Sequence, residues 1–147
     1  MHKTFGIDGF LSSDRASISV DESIYQSRPG RYRFTLAHEA GHYILHKDIY
    51  EQGNFNTIKE WKVFIGRLSA KQYSWFEWQA YEFAGLILVP ANHLDKRLKH
   101  HVKYIKSLGI QNEDVILDQA IEELSKDFVV SREVIQRRLN RESKKNQ

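Results

Sequence analysis

The chain of 147 residues carries a formal charge of +3, is 41% hydrophobic and contains no cysteine. That length suits one domain with one core, the absence of cysteine excludes a disulfide framework and a thiolate zinc finger, and no stretch reaches the roughly 20 apolar residues that span a bilayer. The expectation is one cytoplasmic domain over residues 1–147, with no membrane association and a polar tail at 142–147 that frays. The mild basic excess is concentrated between Arg132 and Lys145 and reads first as a solvated tail.

In chain order, Thr4 to Leu11 places Phe5, Ile7 and Phe10 among glycines, and Ala16 to Val20 alternates around Ile18 and Val20. Both read as short strands of a small antiparallel sheet. Asp21 to Gly30 is rich in turn residues and reads as a connection. Phe34, Leu36, Ala37, Ala40, Ile44 and Leu45 then recur with helical spacing, predicting a helix over 33–46. Gly53, Asn54 and Asn56 mark a loop, and Ile58 to Leu68 reads as a short helix or strand.

An apolar helix follows over 73–89, closed by Pro90. Further helices are expected at 92–108, 113–128 and from a Ser131 cap to about Glu142. The fold class is therefore α+β, a small N-terminal antiparallel sheet on a mainly helical domain.

The chemistry concentrates in His38-Glu39-Ala40-Gly41-His42, a His-Glu-x-x-His pattern inside the first long helix. Residues four apart share a helix face and lie about 6 Å apart along the axis, so two imidazoles can converge on one ion at about 2.1 Å. The uncharged, largely apolar neighbours leave few partners for two such imidazoles other than a metal ion. Glu39 stands about 100° around the helix, beside the pair, where its carboxylate can take a proton from an attacking water. Gly41 inside the helix costs about 1 kcal/mol relative to alanine and points to a close approach by another backbone or a substrate.

Catalytic zinc generally has three protein ligands and one open position. His46 lies about 12 Å along the axis from His38, too far to share the ion, and is expected instead to interact with the helix C-terminus. Glu77 and Glu82 are the carboxylates on the second apolar helix, with side chains about 140° apart. Ala80 and Ala84 permit a close crossing on the face of Glu77, favouring it as third ligand over Glu82. The competing reading makes Ser74 and Glu77 a helix-capping pair. Tyr43, Tyr73, Tyr81 and His46 are open candidates for stabilising an oxyanion. His93, His100 and His101 belong to a helix rich in lysine and arginine and read as a solvated face.

The segment from Arg33 to His46, followed by Glu77-Trp78-Gln79-Ala80-Tyr81-Glu82-Phe83-Ala84 and an aliphatic run to Pro90, resembles the paired signature of the ImmA/IrrE metallopeptidases. Their second motif, Glu-x-x-Ala-Asn-x-Phe-Ala, begins with the zinc-ligating glutamate, which falls on Glu77. This chain has Tyr81 where asparagine is usual and Val89 where methionine is common.

The likeness extends through Gly9 to Leu11, Ile18 to Asp21, and Leu124 to Leu139. It implies a gluzincin-like zinc endopeptidase with His38, His42 and Glu77 as ligands and Glu39 as base, acting on a helix-turn-helix transcriptional repressor to derepress its genes. Three alternatives stand beside it. One is a non-catalytic module that binds a repressor. Another binds DNA through the C-terminal helical segment, with Arg132, Arg137 and Arg138 on phosphates. The third is a zinc hydrolase acting on small amides.

Overall fold

The computed structural model describes residues 9–53 and 55–145. The chain separates into two compact units, Met1–Ala84 and Gly85–Gln147. A short sheet with a predominance of helix makes the fold α+β, as expected.

In the first unit, β1 (Gly9–Leu11) pairs antiparallel with β2 (Ile18–Val20), with Phe10 opposite Ser19. The expected strand residues Thr4 to Asp8 lie outside the described residues. Asp21 does not open a turn. Its carboxylate caps α1 (Glu22–Ser27) by accepting from the Ser23 N–H.

Helix α2 runs over Pro29–Leu45 and begins four residues earlier than the expected 33. Arg28-Pro29-Gly30 looks like a turn, yet proline at the first helical position lacks only a hydrogen bond that the position could not make. The expected loop after His46 begins with α3 (Lys47–Gln52), which buries Tyr50. The ambiguous segment is α4 (Ile58–Ile65), started by a capping box in which Thr57 accepts from the Glu60 N–H and Glu60 accepts from the Thr57 N–H.

Helix α5 spans Ala70–Leu88, and its final turn belongs to the second unit. The core of the first unit is aromatic: Phe10, Tyr50, Phe55, Trp61 and Phe76, joined by Leu11. Tyr50 stacks on Trp61 with ring centroids 5.5 Å apart. Offset and edge-on contacts of this kind add about 0.5–1.5 kcal/mol to simple burial.

The second unit contains α6 (Ala91–Ser107), α7 (Glu113–Phe128) and α8 (Arg132–Lys145). Its core is aliphatic, with Ile105, Ile116 and Ala120 packed against Leu98, Val102 and Ile110, while Leu124, Val134 and Ile135 are also buried. Asn112 caps α7. The tail expected to fray at Glu142 continues as helix to Lys145, because Glu142 accepts from Arg138 Nη1 at 2.7 Å and is approached by Lys145. Residues 146–147 are outside the described set.

Candidate metal centre

Helix α2 presents the motif along one side. His42 is 2% exposed and Glu39 7% exposed, so both are removed from bulk water. Gly9 of β1 explains how a strand lies over this helix: a methyl group there would collide with Thr35 and crowd the Glu39 side chain.

At the crossing of α2 and α5, a β-carbon on Gly41 would lie 3.1 Å from Ala80 Cα and 3.2 Å from Ala80 O. The glycine therefore serves a close backbone approach, and that approach brings Glu77 to the histidines. Helix α5 starts upstream of Ser74, with Ser69 and Gln72 forming its cap, so the Ser74–Glu77 capping alternative does not hold.

Glu77 Oε2 lies 3.3 Å from His38 Nε2, and Glu77 Oε1 lies 3.6 Å from His42 Nε2. The ligand atoms of these three residues all fall within 4.8 Å of one another. Tetrahedral bonds of about 2.1 Å require donor atoms ~3.4 Å apart, so the donor set fits a small divalent cation. Glu39 stands beside it, with Oε1 3.5 Å from His38 Nδ1.

A cavity of about 250 Å³ is lined by His38, Glu39, His42 and Glu77, together with β1, Thr35, Tyr50, Tyr73 and Tyr81. Glu82 is absent from that lining.

The local field follows from this geometry. Burial opposes a charge on His38, but hydrogen bonding and attraction from Glu39 and Glu77 outweigh it and carry the imidazole up to about 9. His42 is held well below the usual imidazole range by burial first, then by His38 and His46. His46 is also lowered by burial, partly offset by Gln79 and Glu77. Burial and the carboxylates Glu39 and Glu77 push the Tyr50 hydroxyl up, and burial with Glu77 pushes Tyr73 to about 12. Both tyrosines are therefore protonated donors at neutral pH.

His46 departs from its expected role at the helix end. It is buried, its Nδ1 lies 2.8 Å from His42 Nδ1, and its Nε2 lies 3.0 Å from Gln79 Oε1. Phe76 lies against both rings, with centroids 4.2 Å from each. Of the four oxyanion candidates, Tyr73 and Tyr81 line the cavity; Tyr43 is exposed under the Arg15 guanidinium, 5.2 Å from its ring centroid. Tyr50 escapes sequence reasoning because its segment reads as loop, although a tyrosine just after the motif helix is a usable signal.

The residues named for other roles are engaged elsewhere. Arg132 meets Glu122 and Asp118, Arg137 meets Glu133, and Arg138 is buried, donating to Val89 O. Those contacts do not favour the DNA-binding alternative. His101 pairs with Asp127 at 2.7 Å.

The family model described as the IrrE N-terminal-like domain, Peptidase_M78, matches residues 24–140. No curated protein and no solved structure gives a match.

Proposed function

This chain belongs to the Peptidase_M78 family of IrrE N-terminal-like domains, and from that premise we propose that it is a zinc-dependent endopeptidase whose substrate is a helix-turn-helix transcriptional repressor. The observation that carries the reading is the His38–His42–Glu77 triangle beside Glu39 in an open cavity. Two histidines and a glutamate form a donor set of catalytic zinc sites, and the ligand spacing suits that ion. The match over residues 24–140 spans both compact units, which supports treating the chain as one functional domain.

His38, His42 and Glu77 would hold the metal, which when bound supplies Lewis acidity toward a scissile carbonyl and makes water a better nucleophile. Glu39 accepts the proton from the attacking water and returns it to the leaving amine. Its side chain is buried on α2 against Gly9 of β1 and lines the cavity. Tyr73 and Tyr81, on the opposite helix, line the cavity and are the sequence candidates that would stabilise an oxyanion there.

Strand β1 borders the cavity and offers main-chain groups to an extended peptide segment. The repressor as substrate, with derepression as the outcome of cleavage, rests on the family resemblance. A cysteine-free chain with no helix among its described residues long and apolar enough to cross a membrane suits a cytoplasmic site of action.

The test uses zinc-loaded protein, candidate helix-turn-helix repressors and the Glu39→Gln variant. Cleavage by the unaltered protein, reduced about 10²–10⁴-fold in Glu39→Gln with zinc retained, is expected. Undiminished turnover in that variant would remove Glu39 from its role, and intact repressors after exposure to the unaltered zinc-loaded protein would contradict the substrate assignment.

A further inference from the structure

The second nitrogen of His42 has a partner that the reaction described above does not use. Gln79 Oε1 stands 3.0 Å from His46 Nε2, and His46 Nδ1 stands 2.8 Å from His42 Nδ1. A carboxamide oxygen accepts only, so the hydrogen of His46 belongs on Nε2. Its Nδ1 is then a bare lone pair and accepts from His42 Nδ1–H. That leaves His42 Nε2 without a hydrogen, on the side where Glu77 Oε1 lies 3.6 Å away.

We propose that His46 and Gln79 are positioning residues that fix the tautomer of His42, so that its Nε2 lone pair is presented to the metal before the metal arrives. The proposal rests on the reading of His42 as a ligand and adds the device that prepares it.

The alternative arrangement shows why the carboxamide matters. If the Gln79 amide were turned, its NH₂ would donate to His46 Nε2 and the His46 hydrogen would move to Nδ1. His46 would then donate to His42, whose own hydrogen would occupy Nε2 and block coordination. One amide orientation thus decides whether His42 is a ligand.

Phe76 holds both rings in place, at 4.2 Å from each and with interplanar angles of 27° to His42 and 31° to His46. With His42 2% and His46 5% exposed, water has little access to substitute for the relay. Partners of this kind behind a ligating histidine generally affect metal affinity 10–100-fold.

The experiment measures Zn²⁺ affinity by chelator competition on the full chain, for the unaltered protein and four variants. Long-range ¹H–¹⁵N spectra of the histidine rings accompany it on metal-free protein. Gln79→Met and His46→Phe keep volume and remove an acceptor, and are expected to weaken Zn²⁺ binding 10–100-fold. Gln79→Glu and His46→Asn restore an acceptor oxygen and are expected to stay within about threefold of the unaltered protein.

The metal-free spectra should show His42 protonated on Nδ1 and His46 on Nε2, with the His46 preference lost in Gln79→Met. Unchanged affinity in both acceptor-free variants, or a His42 hydrogen on Nε2, would overturn the relay while the unaltered protein still binds zinc. Absence of zinc binding by the unaltered protein would instead overturn the ligand reading, and the relay with it. Should His46→Phe fail to fold, Gln79→Met at the half-buried end of the relay decides the matter alone, by the same loss or retention of affinity.

Discussion

The two units place their polar groups in opposite ways. In the first, His42, His46 and Glu39 are buried against an aromatic core; His42 meets His46 and Glu77, His46 meets Gln79, and Glu39 meets His38. In the second, the acidic and basic side chains lie largely at the surface in pairs such as Lys99–Asp95, Lys106–Glu113 and Arg137–Glu133. Exposed pairs of this kind are worth about 0–1 kcal/mol. A buried polar cluster is costly unless every member is satisfied, so its persistence points to chemistry, whereas surface pairs follow from ordinary solvation.

The largest expected effect separates the two cores. Phe76→Ala should cost about 3–5 kcal/mol in chemical unfolding and weaken zinc binding, because the ring is both core and support for His42 and His46. Ile135→Ala should cost about 2–5 kcal/mol while zinc affinity of the folded protein stays unchanged. Equal loss of zinc affinity in both variants would break the distinction between the units.

A smaller effect is expected at the crossing of α2 and α5. Gly41→Ala gains helix propensity, but its methyl would press on the Ala80 backbone and the Phe83 ring, each 3.1 Å away. Overpacking against a backbone generally costs about 1–3 kcal/mol, so net destabilisation is expected, with weaker zinc binding as Glu77 is pushed from the histidines. A more stable variant with unchanged zinc affinity would show that the crossing tolerates the added atom.

The smallest effect belongs to the second unit. Glu142 is held below its ordinary 4.5, first by the Arg138 hydrogen bond. A lowered folded value means that the stabilisation is present above the unfolded value of 4.5 and is lost as pH falls through the lower folded value. The stability difference between the unaltered protein and Glu142→Gln should therefore be present at about pH 7 and vanish in strong acid. A difference that persists there would assign it to packing.

Much of the site is legible in the sequence because its signals are local. His38 and His42 share a helix face by spacing alone, and Ala80 already marks the helix face of Glu77. The short helices are not legible. Helices α1 and α3 have six residues each and bury one residue apiece, Ile24 and Tyr50, so no 3.6-residue pattern develops. Helix α4 has a readable start in Thr57-x-x-Glu60, outweighed in the sequence by the glycine and asparagines before it. The role of His46 cannot be read locally, since it depends on Gln79, which is 33 residues away.

The central claim is that α2 and α5 together build a metal site, and zinc content per chain after dialysis tests it most directly, in the unaltered protein, Glu77→Ala and Glu82→Ala. About one zinc per chain in the unaltered protein and in Glu82→Ala, lost or sharply weakened only in Glu77→Ala, is the predicted result. Full zinc content in Glu77→Ala, or none in the unaltered protein supplied with the ion, would contradict the account.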